Sequence, residues 1–282
     1  MTTIKDLINF GVINIDKPSG PTSFSISEFI KRQLKLSKTS HMGTLDPKVT
    51  GVLPITLGRA CRLASYLISK EKAYTGILHA HKPQKIEELQ KIIDEKFIGE
   101  IKQIPPHKSA VKREERKRKV YKFKLLEATD DGKNFLFDCI VEGGTYIRKI
   151  CSDLGEIIGG AHMGELKRTR AGIFDESKIY NMFEFEKAAG EFKNEDEKKL
   201  REIIVPAEEV IKKILPFFEV KEEALKSLYT GKPILAKDII GTSKLIPGDF
   251  FAIFHGDVFI GIYKKTDEEI IFGRAQFIKD IK

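Results

Sequence analysis

The sequence predicts an α+β chain in two parts: a large N-terminal domain (residues 1–216) on a mainly antiparallel mixed sheet, then a small C-terminal β-barrel (residues 217–282). Three observations predict it. Segments of strand period and helix period are interleaved, yet hairpin turns join strands where regular strand–helix–strand crossovers would be needed for a parallel sheet. From Phe217 onward the pattern changes to short strands broken by Gly231, Gly241, Gly248, Gly256 and Gly261, the punctuation of a compact barrel. A chain of 282 residues with 41% hydrophobic content is long enough for one large core and one small one.

The elements follow in order. Leu7–Asp16 reads as an apolar strand, and "KPSGPTS" breaks it before Ser25 and Glu28 offer a capping box for a helix with Ile26, Phe29, Ile30 and Leu34 on one face. After a Gly- and Pro-rich loop, Ala60, Leu63, Ala64, Leu67 and Ile68 recur at helical spacing, and "KAYTGILHA" switches to a strand. Ile86, Leu89, Ile93 and Phe97 stripe the next helix. Val120–Leu126 alternates apolar residues with Lys122 and Lys124, and the Asp131-Gly132 turn leads into Phe135, Phe137, Cys139 and Val141, which makes a hairpin. Ile147, Ile150, Leu154, Ile157 and Ile158 share one helical face. Residues 184–202 are heavily charged, lose apolar rhythm and read as a solvated excursion.

Lys and Arg total 49 against 41 Asp and Glu, a net +8 that suits an anionic partner. The three cysteines, Cys61, Cys139 and Cys151, form no CxxC pair and are widely spaced, which argues against disulfides and structural zinc and for buried thiols in a reducing, cytoplasmic setting. No apolar run is long enough to span a bilayer, so no membrane role is expected.

The most informative segment is "HMGTLDPKVTGVLPITLGRA", His41–Ala60. Asp46 lies between Leu45 and Pro47 in a loop where Gly43, Gly51 and Pro54 permit or impose unusual backbone angles, which suits presentation of a lone carboxylate on a rigid loop. An Asp before Pro is also a common turn initiator, and composition alone favours that reading.

The ordered string resembles the active-site motif of the TruB and dyskerin pseudouridine synthases, in which the Asp of "GTLDP" is catalytic. "GVINIDKPSGPTS", "KAYTG" and "EGGTYIRKICSDLG" resemble the N-terminal, tyrosine and arginine motifs of that family, and "AHMGELKRTRAGIF" follows at the corresponding place, closer to the dyskerin branch. The resemblance covers Leu7 to about Phe174 and resumes more faintly from Phe217 as a PUA-like RNA-binding domain. At "PTSFSISEF" the chain departs from the pattern: Phe24 and Ser25 stand where the dyskerin branch reads His then Glu, so any role of that His does not transfer.

The resemblance implies an RNA pseudouridine synthase, an isomerase that breaks the N1–C1′ bond of uridine, turns the base and rejoins it through C5. No cofactor and no metal is implied. Asp46 would act as nucleophile, or stabilise an electron-poor sugar as carboxylates do in glycoside hydrolysis. Arg148 matches the motif arginine; a cation at a helix start is electrostatically unfavourable unless it has a partner, and beside Asp46 it would keep the carboxylate ionised and directed. Tyr74 matches the tyrosine that stacks on the target base, His41 the histidine before the loop, and Leu166 and Ile147 apolar positions of the uracil pocket. Lys17 is expected to support the active-site loops.

A base-flipping site needs phosphate contacts around it. "HKSAVKREERKRK" sets Lys108, Lys112, Arg113, Arg116, Lys117, Arg118 and Lys119 against Glu114 and Glu115, and matches the mobile thumb loop of the family. Charge runs are commonly solvated faces, but this one concentrates much of the chain's excess. Lys167, Arg168 and Arg170 form a second basic patch. By resemblance the first functional reading is the catalytic subunit of a box H/ACA ribonucleoprotein acting on rRNA. Its implied partners are an H/ACA guide RNA, substrate RNA, a zinc-ribbon-like protein, a glycine/arginine-associated β-barrel protein and a kink-turn-binding ribosomal-type protein. A stand-alone enzyme for the T-loop uridine of tRNA is the second reading, and a non-catalytic RNA assembly factor the third; the joint presence of Asp46, Tyr74 and Arg148 argues against the third.

Overall fold

A computed structural model describes residues 3–68, 70–105, 112–241 and 244–279, and the chain divides into two compact units, Met1–Ile204 and Val205–Lys282. The first begins with helix α1 (Ile4–Asn9), then strand β1 (Gly11–Lys17), α2 (Ser23–Gln33), β2 (Thr39–His41) and β3 (Thr50–Leu57). A 3₁₀ turn runs into α3 (Ala64–Ile68), followed by β4 (Lys72–Ala80), α4 (Ile86–Lys96), β5 (Gly99–Gln103), β6 (Arg116–Ala128), β7 (Asn134–Val141), α5 (Ile147–Ile158) and β8 (Ala161–Ala171). The unit ends through β9 (Phe174–Asp175), α6 (Met182–Lys193) and α7 (Lys198–Ile203).

Its sheet runs β1-β3-β8-β4-β7-β6-β5, with β2 beside β3 and β9 beside β8. The pairs are antiparallel except β3 with β8, where Thr50 faces Lys167 and Gly51 faces Arg168. That pairing demands glycine at 51: its φ is +97°, and a Cβ there would lie 2.3 Å from the Arg168 carbonyl oxygen. On β4 alternate residues are buried, so Lys72, Tyr74, Leu78 and Ala80 share the inward face with Phe135, Phe137, Cys139 and Val141 of β7. α5 buries Ile147, Ile150, Cys151 and Leu154, each apolar side chain contributing on the order of 2 kcal/mol, and stops at Gly159, whose φ of +85° caps it.

Four local expectations need correction. Leu7–Asn9 are helical, because Thr3 and Asp6 close a capping box that starts a helix before the strand. The cap of α2 is Thr22, whose side chain accepts the Ser25 amide, so Ser25 lies inside the helix and Glu28 pairs with Lys31. Residues 184–202 hold most of α6 and of α7, which bury Phe185, Ala188, Ala189 and Leu200; the apolar stripe is narrow and half of it is alanine, hence faint in the sequence. The basic stretch Arg116–Lys119 is the start of β6, paired with Glu100–Gln103 of β5, and not loop.

The second unit follows β10 (Ile204–Pro206) with α8 (Ala207–Ile214), so it begins earlier than Phe217. The reason is visible in α8: the Lys212 ammonium lies 4.7 Å from the Phe254 ring centre, and Glu208 pairs with Lys279. Strand β11 (Phe217–Val220), α9 (Leu225–Tyr229), and strands β12 (Ile234–Leu235), β13 (Ile239–Ile240), β14 (Phe250–His255), β15 (Val258–Lys265) and β16 (Ile271–Ile278) complete it. They make a nearly closed six-stranded sheet, order β12-β16-β15-β14-β11-β13, around Val220, Leu228, Phe251, Ile253, Ile260 and Tyr263. Among the described residues no helix is long and apolar enough to cross a membrane.

Candidate active site

Asp46 sits in the loop between β2 and β3, and the backbone around it is held at nearly every step. Ser23, buried at the start of α2, accepts the Leu45 amide at 2.8 Å and donates to the Leu45 carbonyl at 3.0 Å. Lys17, fully buried, donates to the carbonyls of Pro18, Pro47 and Val49 at 2.9, 3.0 and 2.8 Å. Arg168 donates to the Gly43 carbonyl at 3.0 Å and the Val52 carbonyl at 2.7 Å. Within the loop the Val49 amide closes a turn on the Asp46 carbonyl at 3.0 Å. A carboxylate mounted this way needs little reorganisation to act.

The loop forms one wall of a cavity of about 430 Å³. Tyr74 on β4 lines it, directly opposite Arg168 of β8. Burial pushes the Tyr74 phenol up, and the nearby Arg168 acts against that rise. Burial likewise lowers Arg168, with Tyr74 opposing. Lys72, on the same strand face two residues earlier, is buried and donates to the carbonyls of Ile68 at 2.6 Å and Lys70 at 3.1 Å; burial, with Arg168 second, brings it down to about 8. His41 at the end of β2 is lowered first by burial and then by Arg168, and its Nδ1 is buried without a hydrogen-bond partner.

The facing wall comes from the start of α5. Gln103, the buried last residue of β5, accepts the Tyr146 amide at 3.0 Å and donates to the Tyr146 carbonyl at 3.2 Å, a two-point grip on the residue that caps α5. Ile147 and Arg148 follow directly. The Arg148 guanidinium forms an ion pair with the Asp46 carboxylate, both side chains about half exposed. This supplies the partner that a cation at a helix N-terminus requires.

The residues expected at one site are therefore brought together: His41, Asp46, Tyr74, Ile147, Arg148 and Leu166 all line this cavity, and Lys17 lies beneath the loop. The basic residues divide. Arg168 is buried with its donors turned inward, so it is not a surface phosphate contact; its strand position next to both β3 and β4 encloses it. Lys167 pairs with Glu176 at 2.5 Å and Arg170 reaches Glu71 at 3.5 Å. On β6, Lys117 and Lys119 are exposed and Arg116 and Arg118 half-buried, with Lys117 paired to Glu100 at 2.8 Å. Lys112 pairs with Glu114, Arg113 is exposed, and Lys108 lies outside the described residues. Ser23, Lys72 and Gln103 went unnoticed in the sequence; for Lys72 the signal was present, since a strand whose face carries Tyr74 also turns Lys72 inward. Among the described residues no group of three or more His, Cys, Asp or Glu side chains is placed to hold a metal ion.

Comparison with known proteins agrees with this geometry. Residues 31–147 match the model of the TruB family pseudouridylate synthase N-terminal domain, and residues 148–212 that of the tRNA pseudouridylate synthase B C-terminal domain. Proteins named probable tRNA pseudouridine synthase B are 41% identical in Methanopyrus kandleri (99% of this chain, 83% of the relative) and 38% identical in Archaeoglobus fulgidus (96% and 81%). Among solved structures, a Cbf5-Nop10-Gar1 complex aligns at a TM-score of 0.90 with 35% identity over 99% of this chain and 88% of that one. An H/ACA ribonucleoprotein bound to a substrate RNA containing 2′-deoxyuridine aligns at 0.86 with 33% identity, over 98% and 87%. The likeness covers the cavity, the Asp46 loop and both units, and the chain belongs to the TruB family of pseudouridine synthases.

Proposed function

We propose that the chain is the catalytic subunit of a box H/ACA guide-RNA particle, isomerising selected uridines of rRNA to pseudouridine at Asp46. The observation that carries this is the near full-length likeness, at TM-scores of 0.90 and 0.86, to chains of a Cbf5-Nop10-Gar1 complex and of an archaeal box H/ACA Nop10-Cbf5 complex. Its partners on this reading are a guide RNA, the substrate RNA and three small proteins: a zinc-ribbon-like one, a glycine/arginine-associated β-barrel one and a kink-turn-binding ribosomal-type one. The PUA-like unit from Val205 holds the guide. Three free, buried thiols fit a cytoplasmic place of work.

The reaction exchanges one C1′ bond for another. C1′–N1 breaks, C1′–C5 forms, the C5 proton leaves and N1 ends protonated, so the sum is an isomerisation. Asp46 meets the sugar as nucleophile or as stabiliser of its developing positive charge, and Arg148 directs the carboxylate. The Tyr74 ring packs on the base while its hydroxyl assists proton transfer, Ile147 and Leu166 close the uracil pocket, and His41 on the cavity wall meets the extruded nucleotide. Exposed Arg113, Lys117 and Lys119 contact phosphate.

A second reading has an observation of its own, since the curated relatives are named as tRNA enzymes: a stand-alone synthase for the T-loop uridine. Tritium release from C5-labelled uridine separates the two. Guide-dependent release on rRNA substrate, requiring the partner proteins, supports the first; full release from an unmodified tRNA transcript by the chain alone, with none on guided rRNA, replaces it with the second.

A further inference from the structure

Arg168 stands at the place where β8 leaves β3 and continues along β4, opposite Gly51 on one side and Tyr74 on the other. It is 0% exposed. Its donors hold the loop at two points, Nε on the Val52 carbonyl and Nη2 on the Gly43 carbonyl, and across the sheet it lies opposite Tyr74, whose phenol its charge acts on. Gly43 and Val52 are the two ends of the segment that carries Asp46. The hydrogen-bonded partners are two carbonyl oxygens and the strand neighbour is a phenol, none of them an anion, and a buried cation without a counter-ion is expensive to keep. A planar fork with donors in fixed directions can join two such carbonyls from different nitrogens while it lies beside the phenol, whereas the point charge of a lysine cannot.

We propose that Arg168 is a positioning residue for the isomerisation, fixing the Asp46 loop and the Tyr74 ring relative to one another. The proposal rests on the reading of Asp46 and Tyr74 as reacting groups. It predicts an effect on the chemical step and none on RNA capture, the reverse of what an arginine on a basic surface would do.

The test compares wild type, Arg168→Lys and Arg168→Gln in single-turnover tritium release with saturating enzyme, alongside Kd for the same RNA across a salt series and a circular-dichroism melt. Saturation makes the rate constant independent of the folded fraction. The expected result is a rate lowered about tenfold in Arg168→Lys and about a hundredfold in Arg168→Gln, with Kd within about twofold of wild type and an unchanged salt slope. If Arg168→Gln does not fold, Arg168→Lys alone decides. An unchanged saturated rate overturns the proposal, as does a weakened Kd whose salt slope falls by about 0.7 to 0.9. Asp46→Asn in the same assay keeps the two readings apart: an active Asp46→Asn brings down the site itself, whereas a dead Asp46→Asn beside an unaffected Arg168→Lys brings down only the positioning role.

Discussion

Ser23→Ala removes one buried oxygen that satisfies both backbone groups of Leu45, the residue before Asp46. The serine is 0% exposed and the change leaves a space too small to matter for packing, so its cost comes from the two orphaned groups. A buried donor or acceptor left unpaired costs about 1 to 3 kcal/mol; taking both together, with partial relaxation, gives about 2 kcal/mol against the closed loop. That is about a 30-fold rise in local opening. Hydrogen exchange read by mass spectrometry on a peptide spanning residues 42–53 reports it directly, and the saturated single-turnover rate should fall by up to about tenfold while RNA affinity holds. Unchanged exchange in that peptide would refute the clamp, whatever happened to the rate.

Arg148→Gln breaks the ion pair with Asp46, and because both partners are about half exposed the expected stability loss is below about 1 kcal/mol while the isomerisation rate falls at least about a hundredfold; a melt and single-turnover kinetics check both numbers. For Lys72 the folded state gives up its proton near pH 8 and the unfolded chain near 10.5, so protons taken up between those values go to the unfolded chain. Stability therefore falls as pH drops from about 10.5 to 8 and levels off below; relative to Lys72→Met, wild type should gain about 3 kcal/mol across that window on going up, measured as urea midpoints at each pH. Converting Arg113 and Lys119 to Gln should flatten the salt dependence of RNA binding by about 0.7 to 0.9 for each phosphate no longer neutralised, and a salt series that superimposes on wild type would return that face to plain solvent exposure.

The order of elements was legible because apolar periods of two and three-to-four residues survive in long segments such as β4, α4 and α5. It failed where a local signal overruled the period. Thr3 and Asp6 start a helix inside what looks like one apolar strand, and α6 buries two alanines, which hydropathy barely registers. The cavity was legible in part: a strand face, a loop with fixed backbone angles and a helix start each advertise one residue type. Arg168 was not, since three neighbouring basic residues look alike until the pleat turns the middle member inward and leaves Lys167 to pair with Glu176. The hydroxyl of Ser23 and the amide of Gln103 act on backbone groups far away in sequence, and such contacts leave no local pattern. The start of the second unit was hidden for the same reason, because only the fold shows Lys212 and Glu208 of α8 tied to β14 and to Lys279.

On the proposed function the Asp46 carboxylate carries the reaction, and the residues around it serve to hold and direct it. Asp46→Asn keeps the shape of the side chain and removes its charge. In a single-turnover assay of tritium release from C5-labelled RNA, with the guide and partner proteins present, the substituted protein should bind RNA as wild type does and release no tritium above background. Release at a tenth of the wild-type rate or more would contradict the assignment and require another residue of the cavity to do the chemistry.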